Sequence, residues 1–242
     1  MLKILLAECI GTMLLVLLGN GVVANVLLKR SKGENGGWIL IATGWGFAVA
    51  IALYVMGWVS GGHVNPAVTL SFAATGRTPW VEVPLYLIGQ MLGAMLGALL
   101  VYLSYKPHYD ETNNDDKILM TFCTKPAIEA TWWNFTCELI GTAVLLIGIC
   151  GILDSHNEVA SGLAPYLIGI LIFAIGLSLG GPTGYAINPA RDLGPRIMHA
   201  LLPIPAKGSS EWSYAWIPVA GPLVGGLLGV FLYEWALSSF LK

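Results

Sequence analysis

Charge is scarce in this chain. Asp, Glu, Lys and Arg make up 11% of its 242 residues, whereas hydrophobic residues make up 56%. A soluble domain carries about 25% charged residues, so a chain this poor in them cannot cover its apolar sequence with polar surface. That excludes a soluble enzyme and a disordered chain. A basic excess is also missing: 12 basic residues stand against 14 acidic ones, a net charge of -2. No positive face is available to neutralise a phosphate backbone, so nucleic acid is excluded as a partner. The only cysteines are Cys9, Cys123, Cys137 and Cys150, with no CxxC pair and no Cys/His cluster. No metal site, cofactor or redox centre is therefore expected. No nucleophile–base pair appears either, so an enzyme is not expected. The class left is a multi-pass membrane protein, and thirty glycines suit closely packed membrane helices.

A membrane-crossing helix needs ~20 mostly apolar residues. Six stretches qualify: 4–28, 38–59, 80–104, 132–153, 162–182 and 214–238. The first resembles a signal peptide in its apolar run, but Glu8 interrupts it and the segment recurs later in the chain, so cleavage is not expected. Glu8-Cys9-Ile10-Gly11-Thr12 returns as Glu138-Leu139-Ile140-Gly141-Thr142, and Asn65-Pro66-Ala67 returns as Asn188-Pro189-Ala190. Gly89-Gln90-Met91-Leu92-Gly93 resembles Gly221-Pro222-Leu223-Val224-Gly225. The chain thus reads as a single channel domain made by duplication: a first repeat over 1–105, a connecting loop over 106–131 and a second repeat over 132–242. Three spans per repeat force the second to insert upside down, which places the functional site near the bilayer midplane. The connector holds Asp110, Glu111, Asp115 and Asp116 and reads as a solvated loop. Gly93/Gly97, Gly221/Gly225 and Gly225/Gly229 form small-xxx-small pairs that suit close helix packing, within one subunit or between subunits.

Each repeat also contains an apolar segment too short to span, 65–74 and 188–200. Asn is a good N-cap, Pro is pre-set for the first helical position, and glycine permits the unusual backbone before them. Each segment is therefore expected to be a re-entrant loop feeding a half-helix. Irregular backbone at membrane depth is tolerated only in protein or beside a watery cavity. Two inverted half-helices would meet at their N-termini, each with about half a positive charge from its dipole. Loop carbonyls would then line a path for hydrogen-bonding solutes, and cations would meet a positive potential.

With these features the sequence resembles the major intrinsic proteins, the aquaporin family, over essentially its whole length. The most specific segments are Ser60-Gly-Gly-His-Val-Asn-Pro-Ala-Val-Thr69 and Gly184-Tyr-Ala-Ile-Asn-Pro-Ala-Arg-Asp-Leu-Gly-Pro195. The resemblance implies an all-α membrane fold of six transmembrane helices plus two half-helices, an inverted internal repeat. It implies a homotetramer with one pore per subunit, in the plasma membrane, with both termini cytoplasmic. It also implies that Asn65 and Asn188, each leading an Asn-Pro-Ala segment (Pro66, Ala67; Pro189, Ala190), donate to the solute. The carbonyls of Gly61, Gly62, His63, Thr183 and Gly184 are expected along the pore. Arg191 is a charge at membrane depth and hence a functional candidate by default. By resemblance it forms a selectivity filter with Trp45, Gly176 and Tyr185.

Gly176 stands where water-selective relatives usually carry His, and Asp192 is typical of the glycerol-conducting branch. The resemblance therefore implies passive conduction of glycerol and similar small neutral solutes, with some water. Arg196, Tyr105 and Pro218 also match that branch, and Asp192 is expected to pair with a nearby positive charge such as Arg196. Two departures stand out. Tyr185 replaces the usual Phe, leaving room for dihydroxyacetone, undissociated lactic acid or hydrogen peroxide, and Pro182 sits one position late in its loop. Glu8 and Glu138 are expected to hold the two loops, together with Asp192. The rival reading makes Glu8 or Glu138 the coupling site of a proton-driven carrier. The implied orientation leaves Lys3, Arg77 and Lys242 inside against seven basic loop residues outside, contrary to the positive-inside tendency.

Overall fold

The structure, a computed structural model, describes residues 1–238. The chain runs through α1 (Leu2–Leu27), α2 (Trp38–Ser60), α3 (Pro66–Ala74), α4 (Val83–Glu111), α5 (Asp115–Met120), α6 (Thr131–Leu153), α7 (Ala164–Leu179), α8 (Pro189–Leu201) and α9 (Ile217–Leu232), with a π-helical turn (Tyr233–Ser238) extending α9. No strand occurs among the described residues. Among the described residues, five helices are long and apolar enough to cross a bilayer: α1, α2, α4, α6, and α9 with its extension. The sixth, α7, has 16 residues, about 24 Å at 1.5 Å per residue. It is shorter than the expected 162–182 segment because Pro165 starts it and the chain leaves the helix at Gly180.

Packing follows the duplication. α1 lies against α4 and α2 as α6 lies against α9 and α7, while α3 packs on α9 as α8 packs on α4. Glycines set these approaches. A Cβ at Gly93 would stand 2.2 Å from the Cys9 carbonyl oxygen, and one at Gly225 would stand 2.1 Å from that of Leu139. These are equivalent positions in the two halves. Where the halves meet, a Cβ on Gly46 would stand 2.8 Å from the Gly169 oxygen, and one on Gly169 would stand 2.6 Å from the Gly46 oxygen. That reciprocal contact marks the pseudo-twofold relation between α2 and α7.

Eight of the nine tryptophans lie at the helix ends, as amphipathic rings do at bilayer interfaces. Trp58, Trp80 and Trp235 are exposed at one face, and Trp132, Trp133, Trp212 and Trp216 at the other, where Trp38 opens α2. The exception, Trp45, is buried.

The connector differs from a simple solvated loop. α4 continues through Pro107 to Glu111, and α5 forms behind Asn114, whose side chain accepts from the Lys117 N–H at 2.8 Å. Ile118, Leu119, Phe122 and Cys123 are buried against α1, α4 and α8. The Asn20 side chain of α1 donates to the Phe122 carbonyl at 2.8 Å. The acidic residues of the segment hide an apolar stripe that seats it in the body of the protein.

Candidate functional site

The site begins with backbone that ordinary residues avoid. Gly61 and Gly62 take positive φ, as does Val64 at 44°; in the second half Gly184 does so, with Tyr185 at 40° and Ile187 at 44°. A non-glycine residue in this region costs of order 1–3 kcal/mol, more so when β-branched. Two buried carboxylates hold the strained turns. Glu8 accepts from the Ser60 hydroxyl (2.6 Å) and the His63 N–H (3.0 Å) on one oxygen, and from the Val64 N–H (2.7 Å) and Gln90 side chain (2.7 Å) on the other. Glu138 accepts from the Thr183 hydroxyl (2.6 Å) and the N–H groups of Ala186 (2.9 Å) and Ile187 (2.8 Å). Pro222 stands where the first half has Gln90, so Glu138 lacks that fourth donor.

The turns deliver the chain to the half-helices. The Asn65 side-chain oxygen accepts from the Ala67 N–H at 2.9 Å, and that of Asn188 accepts from the N–H groups of Ala190 (3.0 Å) and Arg191 (3.2 Å). With the oxygens so engaged, both amide NH2 groups point across the axis. Asn65 donates to the Ile187 carbonyl at 2.8 Å, and Asn188 donates to the Val64 carbonyl at 2.7 Å. An amide NH2 has two donors, so one on each asparagine is left over.

A cavity of about 350 Å³ runs past these groups. One wall is polar, formed by Gly61–Asn65, Ala186–Asn188 and Arg191; the other is apolar, including Leu15, Val49, Leu53, Leu145 and Ile172. It opens beside Tyr54, Trp58 and Gly162, where the Tyr54 hydroxyl donates to the Gly162 carbonyl at 2.9 Å. Trp45, Tyr185 and Arg191 also line it. The Arg191 guanidinium lies 4.2 Å from the centre of the Trp45 ring. Arg191 is buried, and among the described residues its side chain has no hydrogen-bond acceptor, so its N–H groups are open to whatever occupies the cavity.

Arg196, five residues on, is the opposite case. It is wholly buried and donates four hydrogen bonds: Nε to Asp192 (2.9 Å), Nη2 to the Thr124 carbonyl (2.9 Å), and Nη1 to the carbonyls of Ser210 (2.7 Å) and Glu211 (3.2 Å), with Nη2 also 2.9 Å from the Asp192 carboxylate as an ion pair. Asp192 accepts in addition from the Thr124 N–H (2.7 Å) and hydroxyl (2.6 Å). The expected Asp192–Arg196 pair is therefore present.

The structure brings Trp45, Tyr185, Arg191 and the asparagines of both Asn-Pro-Ala segments to one cavity. Gly176 does not line the cavity, because Tyr185 lies over it: a Cβ there would stand 2.8 Å from the phenol ring. The glycine makes room for Tyr185 itself. The Trp38 indole donates to the Gly176 carbonyl at 2.8 Å and meets the Tyr185 ring edge-on. In the second loop Tyr185, Ala186 and Ile187 line the wall, while Glu138 holds the Thr183 hydroxyl and Gly184 packs toward Thr124. His63 does line it, while its ring is buried against Tyr86 and Thr69.

Sequence reasoning missed Gly19, Gln90 and Thr124. A Cβ on Gly19 would stand 2.3 Å from the Trp45 ring, so this glycine is what lets Trp45 lie where it does. Only Gln90 carried a signal, as part of a repeated segment; one glycine among thirty carries none.

Fold and site together define a multi-pass helical membrane protein built as an inverted duplication around a buried cavity. The chain belongs to the Major intrinsic protein family, whose family model matches residues 1–233. It is 57% identical over 234 residues to the probable glycerol uptake facilitator protein of Thermotoga maritima, covering 97% of this chain and 99% of the relative. It is 52% identical over 234 residues to the glycerol uptake facilitator protein of Bacillus subtilis, covering 97% of this chain and 85% of that one. Among solved structures, the aquaglyceroporin from Plasmodium falciparum matches with a TM-score of 0.90 at 28% identity, covering 99% of this chain and 98% of that one.

Proposed function

We propose that this protein is a passive channel for glycerol and similar small neutral solutes, with some water, that excludes ions and protons. The observation that carries the reading is the pairing of Arg191 with Trp45 on the cavity wall. An unpartnered guanidinium and an indole face each other at 4.2 Å, and behind them a polar wall faces an apolar one. A polyol has a hydroxyl edge and a C–H edge. Its hydroxyls suit Arg191, the spare donors of Asn65 and Asn188, and the loop carbonyls, while its carbon edge suits Trp45 and the apolar wall. The glycerol facilitator names of the relatives support the same solute.

In this reading Trp45, Tyr185 and Arg191 form the selectivity filter, with Gly176 behind Tyr185. Asn65 and Asn188 hold solute at the centre, and the carbonyls from Gly61 to Val64 and from Tyr185 to Ile187 form the ladder. Glu8, Glu138 and Asp192 hold the loops. Cations are opposed by Arg191 and by the two converging helix N-termini. The unit is one channel domain with repeats 1–105 and 132–242 joined by 106–131, assembled as a homotetramer in the plasma membrane with both termini cytoplasmic. The cavity would then open inward and the constriction would lie toward the outside. Protease cleavage of the 105–131 segment only from the cytoplasmic side would reverse that orientation.

Stopped-flow light scattering on proteoliposomes in a glycerol gradient tests the solute. Fast reswelling after the initial shrinkage is expected, and fast water flow without reswelling would make the protein a water channel. Dihydroxyacetone, undissociated lactic acid and hydrogen peroxide form the second group of solutes, and each can be run in the same assay. A proton-coupled carrier is disfavoured because Glu8 and Glu138 sit behind the loops with protein donors on both oxygens.

A further inference from the structure

We infer that the connector between the two repeats positions the filter, and that Thr124 is the residue through which it does so. The inference deepens the proposed function and rests on Arg191 being a filter residue.

Thr124 gives Asp192 two donors on one oxygen, its N–H at 2.7 Å and its hydroxyl at 2.6 Å. Arg196 grips the other oxygen of Asp192 and also the Thr124 carbonyl. Asp192 follows Arg191 directly in the chain, in the first turn of α8. The Arg191 N–H is meanwhile held by the Asn188 side chain at 3.2 Å. The backbone that aims Arg191 is thus tied on both sides, by its own N-cap and by the connector. The Arg191 guanidinium, with no protein acceptor, depends on that backbone and on the Trp45 ring for its placement. Arg196 also binds the Ser210 and Glu211 carbonyls, so the segment before α9 joins the same clamp. Lys125, next to Thr124, closes it at the surface, lying 2.5 Å from Asp116 and 3.7 Å from Glu211. The connector is itself anchored, by its buried stripe and by Asn20.

Replacing the Thr124 hydroxyl by a methyl group leaves the N–H donor and the shape in place and removes one bond to a carboxylate. Hydrogen bonds to charged groups contribute about 1.5–3 kcal/mol. Freed on that side, the first turn of α8 lets Arg191 swing, and the constriction admits larger solutes.

Proteoliposomes with wild-type protein, Thr124→Val and Thr124→Ser would be compared for four-carbon polyol against glycerol permeability. Thr124→Val is expected to raise that ratio by at least about threefold, well within the loss of one such bond. Thr124→Ser, which keeps the hydroxyl, is expected to match wild type. An unchanged ratio in Thr124→Val overturns the inference, as does a serine variant that behaves like valine. Thr124→Ala carries the same expectation if the valine variant does not fold. Loss of folded protein in both overturns it too, since the contact would then be a structural tie alone. If wild-type protein passes water but no glycerol, the solute assignment fails, and the variants' proton leak becomes the test of the clamp.

Discussion

Arg191 and Arg196 share a half-helix and both are buried, yet among the described residues Arg196 is held by Asp192, Thr124, Ser210 and Glu211, while the Arg191 side chain meets only the Trp45 ring. A buried arginine with its donors engaged is held in place; one with its donors open is available to a passing molecule. Arg191→Val is therefore expected to raise cation or proton leak by more than about tenfold, since only ~1.4 kcal/mol lost from a barrier is a factor of ten. Fluorescent pH measurement in proteoliposomes checks this, and an unchanged leak would remove Arg191 from the filter. Trp45 is bounded by Arg191 on one side and Gly19 on the other. A methyl group on Gly19 would overlap the indole, and the ring can yield only toward the cavity. Gly19→Ala should thus cut glycerol permeability about fivefold while sparing water; overpacking of this kind costs about 1–3 kcal/mol, of which ~1 kcal/mol gives that factor.

At the scale of elements, each re-entrant loop is stable because a carboxylate two helices away replaces the hydrogen bonds its backbone cannot make. Glu8 and Glu138 come from the same repeated segment, and so the support of both loops was legible in the sequence. What each accepts from was not, because four of the seven donors are backbone N–H groups whose direction depends on positive φ at Val64, Tyr185 and Ile187, and the side-chain donors have no spacing that marks them. Glu138→Gln places an NH2 group against N–H donors and leaves at least one unsatisfied in a buried site. Breaking a buried charged network costs about 3–5 kcal/mol, so a large drop in thermal stability in detergent and loss of conduction are expected. A variant that conducts like wild type would show that Thr183 and the loop hold themselves. A milder tie joins the end of α6 to the extension of α9, where the Tyr233 hydroxyl donates to Asp154 at 2.6 Å. That bond, with those from His156, holds the Asp154 carboxyl well below the usual range. A depressed carboxyl stabilises the fold above its unfolded value near 4 and loses that contribution as pH falls through the folded value. Tyr233→Phe should therefore lower thermal stability at neutral pH and shrink the loss on acidification below about pH 4, read from melting curves taken from pH 7 downward through that range.

For the whole molecule, the legible part was what repetition carries: the inverted halves, the half-helices and the pairing of Asn65 with Asn188 across the centre. What stayed hidden depends on three-dimensional neighbours with no sequence spacing of their own. The connector's acidic residues concealed a buried stripe, Tyr185 claimed the space that Gly176 seemed to leave to solute, and Thr124 reached Asp192 from sixty-eight residues away. The same geometry bears on energy coupling. A carrier needs a site that changes its protonation or its access during transport. Here Glu8 and Glu138 lie behind the loops, and the two halves meet backbone to backbone at the reciprocal Gly46–Gly169 contact of α2 and α7, which opposes rocking of one half against the other. Vesicles given labelled glycerol should therefore fill until inside and outside concentrations are equal and stop there. Imposing a pH difference of about two units, worth ~2.7 kcal/mol per proton, should change neither the endpoint nor the initial rate. A proton-coupled carrier given the same gradient could concentrate glycerol as much as about a hundredfold on that energy, so accumulation even severalfold above equilibrium would overturn the channel reading and return Glu8 or Glu138 to the transport cycle.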